Sequence, residues 1–341
     1  MLDILITHYN DPDALDRCLR SLSRQTFKGF DIHVVDDFSS NNPHEVVSIW
    51  STSLSIKFTA FNQNVGAFRQ IERLYRKSQS PFFLFLHHDD YLDPDFLEKV
   101  FARGLLKHPK SSFAYSLYRV EEQGKIYDST RHLLPRLPTG EHDILSHVIF
   151  SNWVQWSFSI INSNMFDKVG GFDRVSKIVS AREYDPNRFL AVDSYTWCRL
   201  SLQGPAYVVD ERLGTKQLHP LSYGRMNQHR HLEEVTMFLD QIFFDYDLFS
   251  DKYRYLAKAV MISRIFSSKR LFETVQEIFD NSLFNSDDWR NDEFNVSLKR
   301  DLLLCVAQIL HDFCNDDERN AYKRLLDPED FVRYQKVINS L

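Results

Sequence analysis

Three places along the chain put polar and acidic residues directly after a short apolar run. Ile4-Leu5-Ile6 leads into Thr7-His8-Tyr9-Asn10, Val34-Val35 into Asp36-Asp37, and the run Phe82 to Leu86 into His87-His88-Asp89-Asp90. Carboxylates gathered at neighbouring strand ends repel one another unless a cation or a hydrogen-bonding ligand sits between them, and a divalent metal is the natural resolution. Asp also caps helices and opens turns. Capping alone, however, asks for no Asp-Asp doublet after two separate apolar runs. A further acid, Asp193, precedes the helix-like stretch Tyr195 to Leu202, where it suits either an N-cap or a general base.

For these residues to meet, the apolar runs must be strands of one sheet with their carboxyl ends on one edge, where open α/β sheets form their ligand crevice. The sequence carries that pattern. Ile4 to Ile6 reads as a buried strand, followed by Asp11 as N-cap, Pro12 at the first helical position, and Leu15, Cys18, Leu19 and Leu22 on one helical face. Strands are predicted again at Ile32 to Val35, Ile56 to Phe58 and Phe82 to Leu86, with a helix over Ala67 to Lys77 that places Ile71, Leu74 and Tyr75 on one side. The fold class is therefore α/β, a parallel or mixed sheet flanked by helices. From Ser111 to Gly214 the pattern is mixed, and the segments Leu133 to Gly140 and Asp173 to Arg188 read as loops over a site. Beyond about His231, apolar residues recur at helical spacing, so the last hundred residues are expected to form an all-helical appendage.

Composition narrows the function classes. The 341 residues are 43% hydrophobic and 26% charged, an ordinary globular balance that leaves no room for a mainly disordered chain. A net charge of −6 gives no global field for a phosphate backbone, so nucleic acid is excluded as the main partner. Cys18, Cys198, Cys305 and Cys314 are too scattered for a disulfide framework or for metal-ligand spacing. Met1-Leu2-Asp3 opens with no basic n-region, and the apolar runs fall far short of the roughly 18–20 residues that span a bilayer. A cytoplasmic protein is expected, at most peripheral at the inner face of the membrane.

Taken together, Thr7-x-Tyr9-Asn10, Cys18-Leu19-x-Ser21-Leu22-x-x-Gln25-Thr26-Phe27, Val34-Val35-Asp36-Asp37-x-Ser39 and Asp89-Asp90-Tyr91-Leu92 resemble the nucleotide-binding half of family 2 glycosyltransferases, inverting enzymes of the GT-A fold. The resemblance continues through Phe166 to Asp173, through Asp193 with Arg199-Leu200, and through His219-Pro220-x-Ser222, over roughly residues 1–224. It implies a mixed sheet, with a nucleotide-sugar-binding half at 1–110, an acceptor-binding half at 111–230 and the helical region at 231–341. Thr7, Tyr9 and Asn10 would line the nucleotide pocket and Asp37 would accept a hydrogen bond from the base, a uracil in many relatives. Asp89 and Asp90 would hold ribose and a Mn²⁺ or Mg²⁺ ion on the diphosphate, with His219 completing the metal site. Asp193 would be the catalytic base. The implied activity is metal-dependent transfer of a hexosyl or N-acetylhexosaminyl group, most simply from a UDP-sugar, to a hydroxyl of a growing glycan or a lipid-linked glycan.

The chain departs from that pattern in places. His87 stands where relatives often carry Asp; as a ligand it favours Mn²⁺ over Mg²⁺, and the alternative is that it packs beneath the nucleotide. Asn64-Val65-Gly66-Ala67-Phe68-Arg69 is similar to the family's N-x-G followed by Arg, at shorter spacing, which makes Arg69 either a diphosphate contact or a solvated helix residue. Val192 replaces the Glu that often precedes the base. Trp153 and Trp156 suit sugar stacking, and core burial suits at least one of them. In the tail, Lys252 to Arg270 is a basic amphipathic stretch that fits an anionic membrane surface, while the surrounding acidic residues favour packing against the catalytic domain or a second subunit. Two other functions remain open at this level. One is a nucleotide-sugar-binding scaffold with weakened catalysis; the other is a nucleotidyltransferase, against which Thr7 to Pro12 lacks any Lys or Arg.

Overall fold

The computed structural model of the protein describes residues 1–128, 137–145, 148, 154–181 and 192–219. The chain divides into two compact units, one of Met1–Ser129, Leu137–Ile144 and Val154–Met226, the other of Thr130–Arg136, Leu145–Trp153 and Asn227–Leu341. The sheet and its helices lie in the first. The helical region expected at 231–341, the basic stretch Lys252 to Arg270, Trp153, Pro220 and Ser222 lie outside the described residues.

In chain order the elements are β1 (Leu2–His8), α1 (Pro12–Ser23), β2 (Phe30–Asp36), α2 (His44–Trp50), β3 (Ile56–Ala60), α3 (Ala67–Lys77), β4 (Phe82–His87) and the short β5 (Tyr91–Leu92). A π-type helical segment at Leu97–Gly104 leads to β6 (Phe113–Glu122), β7 (Lys125–Asp128) and β8 (Gly140–His142). There follow a 3₁₀ turn at Trp156–Phe158, β9 (Ser159–Asn162), α4 (Ser163–Lys168), α5 (Gly171–Ala181), α6 (Val192–Ser201) and the long β10 (Ala206–Leu218). The strands form one sheet in the order β3-β2-β1-β4-β9-β6-β10-β5, with β7 on β6 and β8 on β10. β3, β2, β1 and β4 run parallel, β9 is antiparallel to both β4 and β6, and β10 is parallel to β6. Of the parallel or mixed sheet that the sequence pattern allows, the structure has the mixed one, because β9 runs antiparallel between β4 and β6.

Each early element follows from local chemistry. β1 is buried along its whole length, as a central strand covered on both faces must be. The Asp11 side chain accepts the Ala14 N–H at 3.0 Å and Pro12 begins α1, whose Ala14, Leu15, Cys18, Leu19 and Leu22 face the core. At the end of α1 the buried Gln25 donates to the Asp93 carbonyl at 2.7 Å and accepts from the Leu97 N–H at 3.0 Å, tying the helix to the loop after β5. Trp156 is buried against Phe85 and Trp197, with ring centroids 5.1 and 4.8 Å away, so it is a core residue.

One expected loop is corrected. Within Asp173 to Arg188 the described residues, to Ala181, are helical and belong to α5. Phe172, Val175 and Ile178 recur at three-residue spacing and are buried; the interleaved charges masked that period. Of Leu133 to Gly140 only 137–140 is described, and Gly140 opens β8 rather than ending a loop.

At the amino-terminal edge of the sheet, away from the acidic strand ends, Asp3 accepts hydrogen bonds from Ser78 Oγ at 2.7 Å and Ser80 Oγ at 2.6 Å, with His33 Nε2 at 3.3 Å. Burial alone would raise its carboxyl, but the contacts with His33, Ser80 and Ser78 outweigh it and hold the pKa at about 2. This lies below the unfolded value of about 3.9, so the ionised carboxylate stabilises the fold above about pH 4 and loses that contribution as the pH falls toward 2. Asp3→Asn is expected to cost on the order of 1–2 kcal/mol at pH 7 in urea melts, with the penalty shrinking below pH 4; a penalty independent of pH would contradict this assignment.

Candidate functional site

Parallel register sets the site. Thr7 of β1 is level with Val35 of β2 and His87 of β4, so the chain emerges from all three strands on the same edge, at the point where the strand order reverses. The structure thus brings Thr7, Tyr9, Asn10, Asp37, Asp89 and Asp90 to one end of one sheet.

The acids there differ in what they hold. Asp36 faces His8, whose Nδ1 is 2.8 Å from Oδ1, and takes hydrogen bonds from the Ser39 hydroxyl and N–H. Asp37 is fully buried, and its two oxygens accept the backbone N–H groups of Val65 at 2.8 Å and Gly66 at 2.9 Å. Gly66 turns there with a φ of 82°, a backbone conformation that suits glycine. Asp37 therefore clamps the entry to α3. Arg69, on the first turn of that helix, pairs with Glu72 at 3.0 Å. Thr7 is buried and its carbonyl accepts from His88 Nδ1 at 3.0 Å. Asn10 adopts a φ of 59°, tolerated by Asn, and its side-chain oxygen accepts from the Ser40 N–H at 2.8 Å, stitching the β1 loop to the β2 loop. Tyr9 stands out at 48% exposed.

After β4 the two aspartates separate in role. Asp90 turns inward, 3% exposed, and accepts hydrogen bonds from Ser157 Oγ and, at 3.0 Å, from the Gln217 N–H of β10. Burial and then the Asp89 charge push its carboxyl up to about 7, against lowering by Lys216, Ser157 and Gln217. Asp89 remains partly exposed, with His219 Nε2 at 3.8 Å from its Oδ2. Burial pushes the His87 imidazole down; Asp89 and Asp193 act the other way, which places the Asp193 carboxylate within the electrostatic reach of this cluster. Asp193 lies inside α6 rather than capping it, since Val192 is already helical, and its Oδ1 accepts the Ser194 N–H at 2.7 Å. Further along α6 the buried Arg199 donates to the Gly171 carbonyl at 3.4 Å, and a Cβ on Gly170, whose φ is 86°, would stand 3.3 Å from its guanidinium. Among the described residues, no group of three or more His, Cys, Asp or Glu side chains could hold a metal ion.

A family model described as Glycosyl transferase family 2 matches residues 3–162, the span that carries all three strand ends. The match spans just under half of the chain, from β1 through β9. Over 187 residues the chain is 28% identical to an uncharacterized glycosyltransferase of Haemophilus influenzae, a match that covers 54% of this chain and 60% of that protein's length. Its fold is similar to that of S. aureus TarS 1-349 in complex with UDP-GlcNAc, with a TM-score of 0.58 at 14% identity over 99% of this chain and 90% of that one. It is similar too to the mannosyltransferase PcManGT from Pyrobaculum calidifontis in complex with GDP-Man and Mn²⁺, with a TM-score of 0.57 at 11% identity over 99% and 86%. The likeness to these structures gives the chain a GT-A fold.

Three features of the site have no counterpart in the sequence reading. Phe38 is 59% exposed with a φ of 64°, a conformation that costs a bulky residue on the order of 1–2 kcal/mol. Its place between the Asp36-Asp37 doublet and Ser39 was the available signal. Lys216 and Gln217 reach the site from the far strand β10, and Ser157 reaches it from the turn before β9; no sequence spacing links them to Asp90.

The raised pKa of Asp90 gives a stability test. Its folded value lies above the unfolded value, so the cost of burying the charge is absent below about pH 4, grows between pH 4 and 7, and is complete above that window. An Asn can accept from Gln217 and donate to Ser157 without ionising. Asp90→Asn is expected to raise the unfolding free energy by on the order of 1–3 kcal/mol at pH 8 in a chelator and to leave it unchanged at pH 4. A loss of stability at pH 8 would show that the carboxylate is held charged.

Proposed function

We propose that this protein is an inverting glycosyltransferase that moves a hexosyl or N-acetylhexosaminyl group from a nucleotide diphosphate sugar, a UDP-sugar in the first instance, to a hydroxyl of a glycan or lipid-linked glycan. The observation that supports the reading is the convergence of the β1, β2 and β4 carboxyl ends on one edge of the sheet, with Asp89 partly exposed beside His219. The nucleotide sugars bound by TarS and PcManGT support a donor of this class.

The exposed rings of Tyr9 and Phe38 offer faces for the base, with the buried Asp37 holding the Val65-Gly66 turn that borders them. Asp89, with His219 beside it, fits a divalent ion that takes its remaining ligands from phosphate and water, as such ions commonly do. That ion, when bound, neutralises charge on the leaving diphosphate. Asp193 accepts the proton of the acceptor hydroxyl while its oxygen bonds to the anomeric carbon from the face opposite the diphosphate. The bond from that carbon to the phosphate oxygen breaks with its electron pair left on the nucleotide, and a single displacement of this kind inverts the anomeric centre. Water in the acceptor's place would give slow donor hydrolysis.

A thermal-shift panel of nucleotide sugars with Mn²⁺ identifies the donor by stabilisation of the folded state. With that donor, Asp193→Asn is expected to lower sugar release by about 100-fold or more while leaving UDP affinity unchanged. Undiminished release by the variant would remove Asp193 as the base, and no sugar release by the wild type would favour a binding scaffold.

A further inference from the structure

Lys216 occupies an unusual electrostatic position. It lies on β10 between Thr215, which pairs with Tyr91 of β5, and Gln217, whose N–H binds Asp90. Three residues on, His219 meets Asp89. The ammonium is half-buried and donates to Gln155 Oε1 at 2.6 Å, and among the described residues no carboxylate comes within ion-pair distance of it. Gln155 is itself fixed, its carbonyl accepting from Phe158 N–H at 3.1 Å and Ser159 Oγ at 2.7 Å, in the turn that also presents Ser157 to Asp90. Both His87 and Asp90 sense the Lys216 charge, which locates it against the acidic cluster.

A neutral amide aims an ammonium without cancelling its charge. A lysine held for structure gains more from a carboxylate, because charge-assisted bonds are the stronger ones. Here the full positive charge is kept, at the edge of the sheet where a nucleotide's phosphates would lie. We propose that Lys216 is a phosphate-binding residue of the donor site, aimed by Gln155, that contacts the diphosphate and takes up charge on it as the sugar departs. This rests on the donor reading above and adds a cation supplied by the chain itself to the one that Asp89 and His219 fit. Part of the diphosphate affinity then survives without metal.

The test is isothermal titration of the full chain in EDTA with UDP and with GDP, so that base preference does not decide the outcome, together with ligand-detected NMR of the corresponding nucleosides. Lys216→Met is expected to weaken binding of the preferred diphosphate at least tenfold and to leave nucleoside binding unchanged, while Lys216→Arg keeps most of the affinity. Gln155→Glu, which leaves Lys216 in place but neutralises it, is expected to weaken diphosphate binding likewise. Wild-type affinity in a folded Lys216→Met variant overturns the role of Lys216 and leaves the donor reading standing. Failure of the wild type to bind either diphosphate, with Mn²⁺ or without, overturns the donor reading itself. Diphosphate binding by the wild type that appears only with Mn²⁺ overturns the metal-independent share assigned to Lys216.

Discussion

Parallel pairing of β2, β1 and β4 forces three polar chain ends, two of them carrying an Asp-Asp doublet, onto one edge of the sheet. At an effective dielectric constant near 20, two carboxylates about 4 Å apart repel by about 4 kcal/mol, so the edge must be neutralised for the fold to persist. The protein does this largely with its own groups. Asp36 takes His8 and Ser39, Asp37 takes two backbone N–H groups, and Asp90 is buried against Ser157 and Gln217. Hydrogen bonds to charged acceptors contribute roughly 1.5–3 kcal/mol each, enough to offset much of that repulsion.

A division of labour results. Three of the four aspartates become scaffold: Asp36 orders the β2 loop, Asp37 sets the entry to α3, and Asp90 fastens β10 against the end of β4. Asp89 is left partly exposed beside His219, and Lys216 keeps its charge close by. That edge therefore sets a partly exposed carboxylate beside an ammonium, the pair of charges that the proposed donor reading uses. The helix carrying Asp193 is held from behind, where Arg199 packs on the Gly170-Gly171 turn.

Much of the first ninety residues was legible in the sequence, because each strand there is a short apolar run closed by polar residues and α1 is announced by Asp11 and Pro12. The candidate site was legible where it rests on strand ends. It was not legible where partners come from remote segments: Asp90 reads as one of a pair, and only the approach of β10, which shifts register after Val209 and Arg212, turns it inward and brings up Lys216. The helix α5 was missed because Asp173, Arg174 and Lys177 interrupt an apolar period of only three residues, Phe172, Val175 and Ile178.

The most direct measurement is anomalous diffraction from crystals grown with UDP and Mn²⁺. The arrangement described here places the manganese peak at coordination distance from the Asp89 carboxylate, with the diphosphate across the carboxyl ends of β1 and β4 and the Asp90 side chain still turned toward Ser157. A nucleotide bound away from that edge, or an ion with no oxygen of Asp89 in its coordination shell, would contradict it.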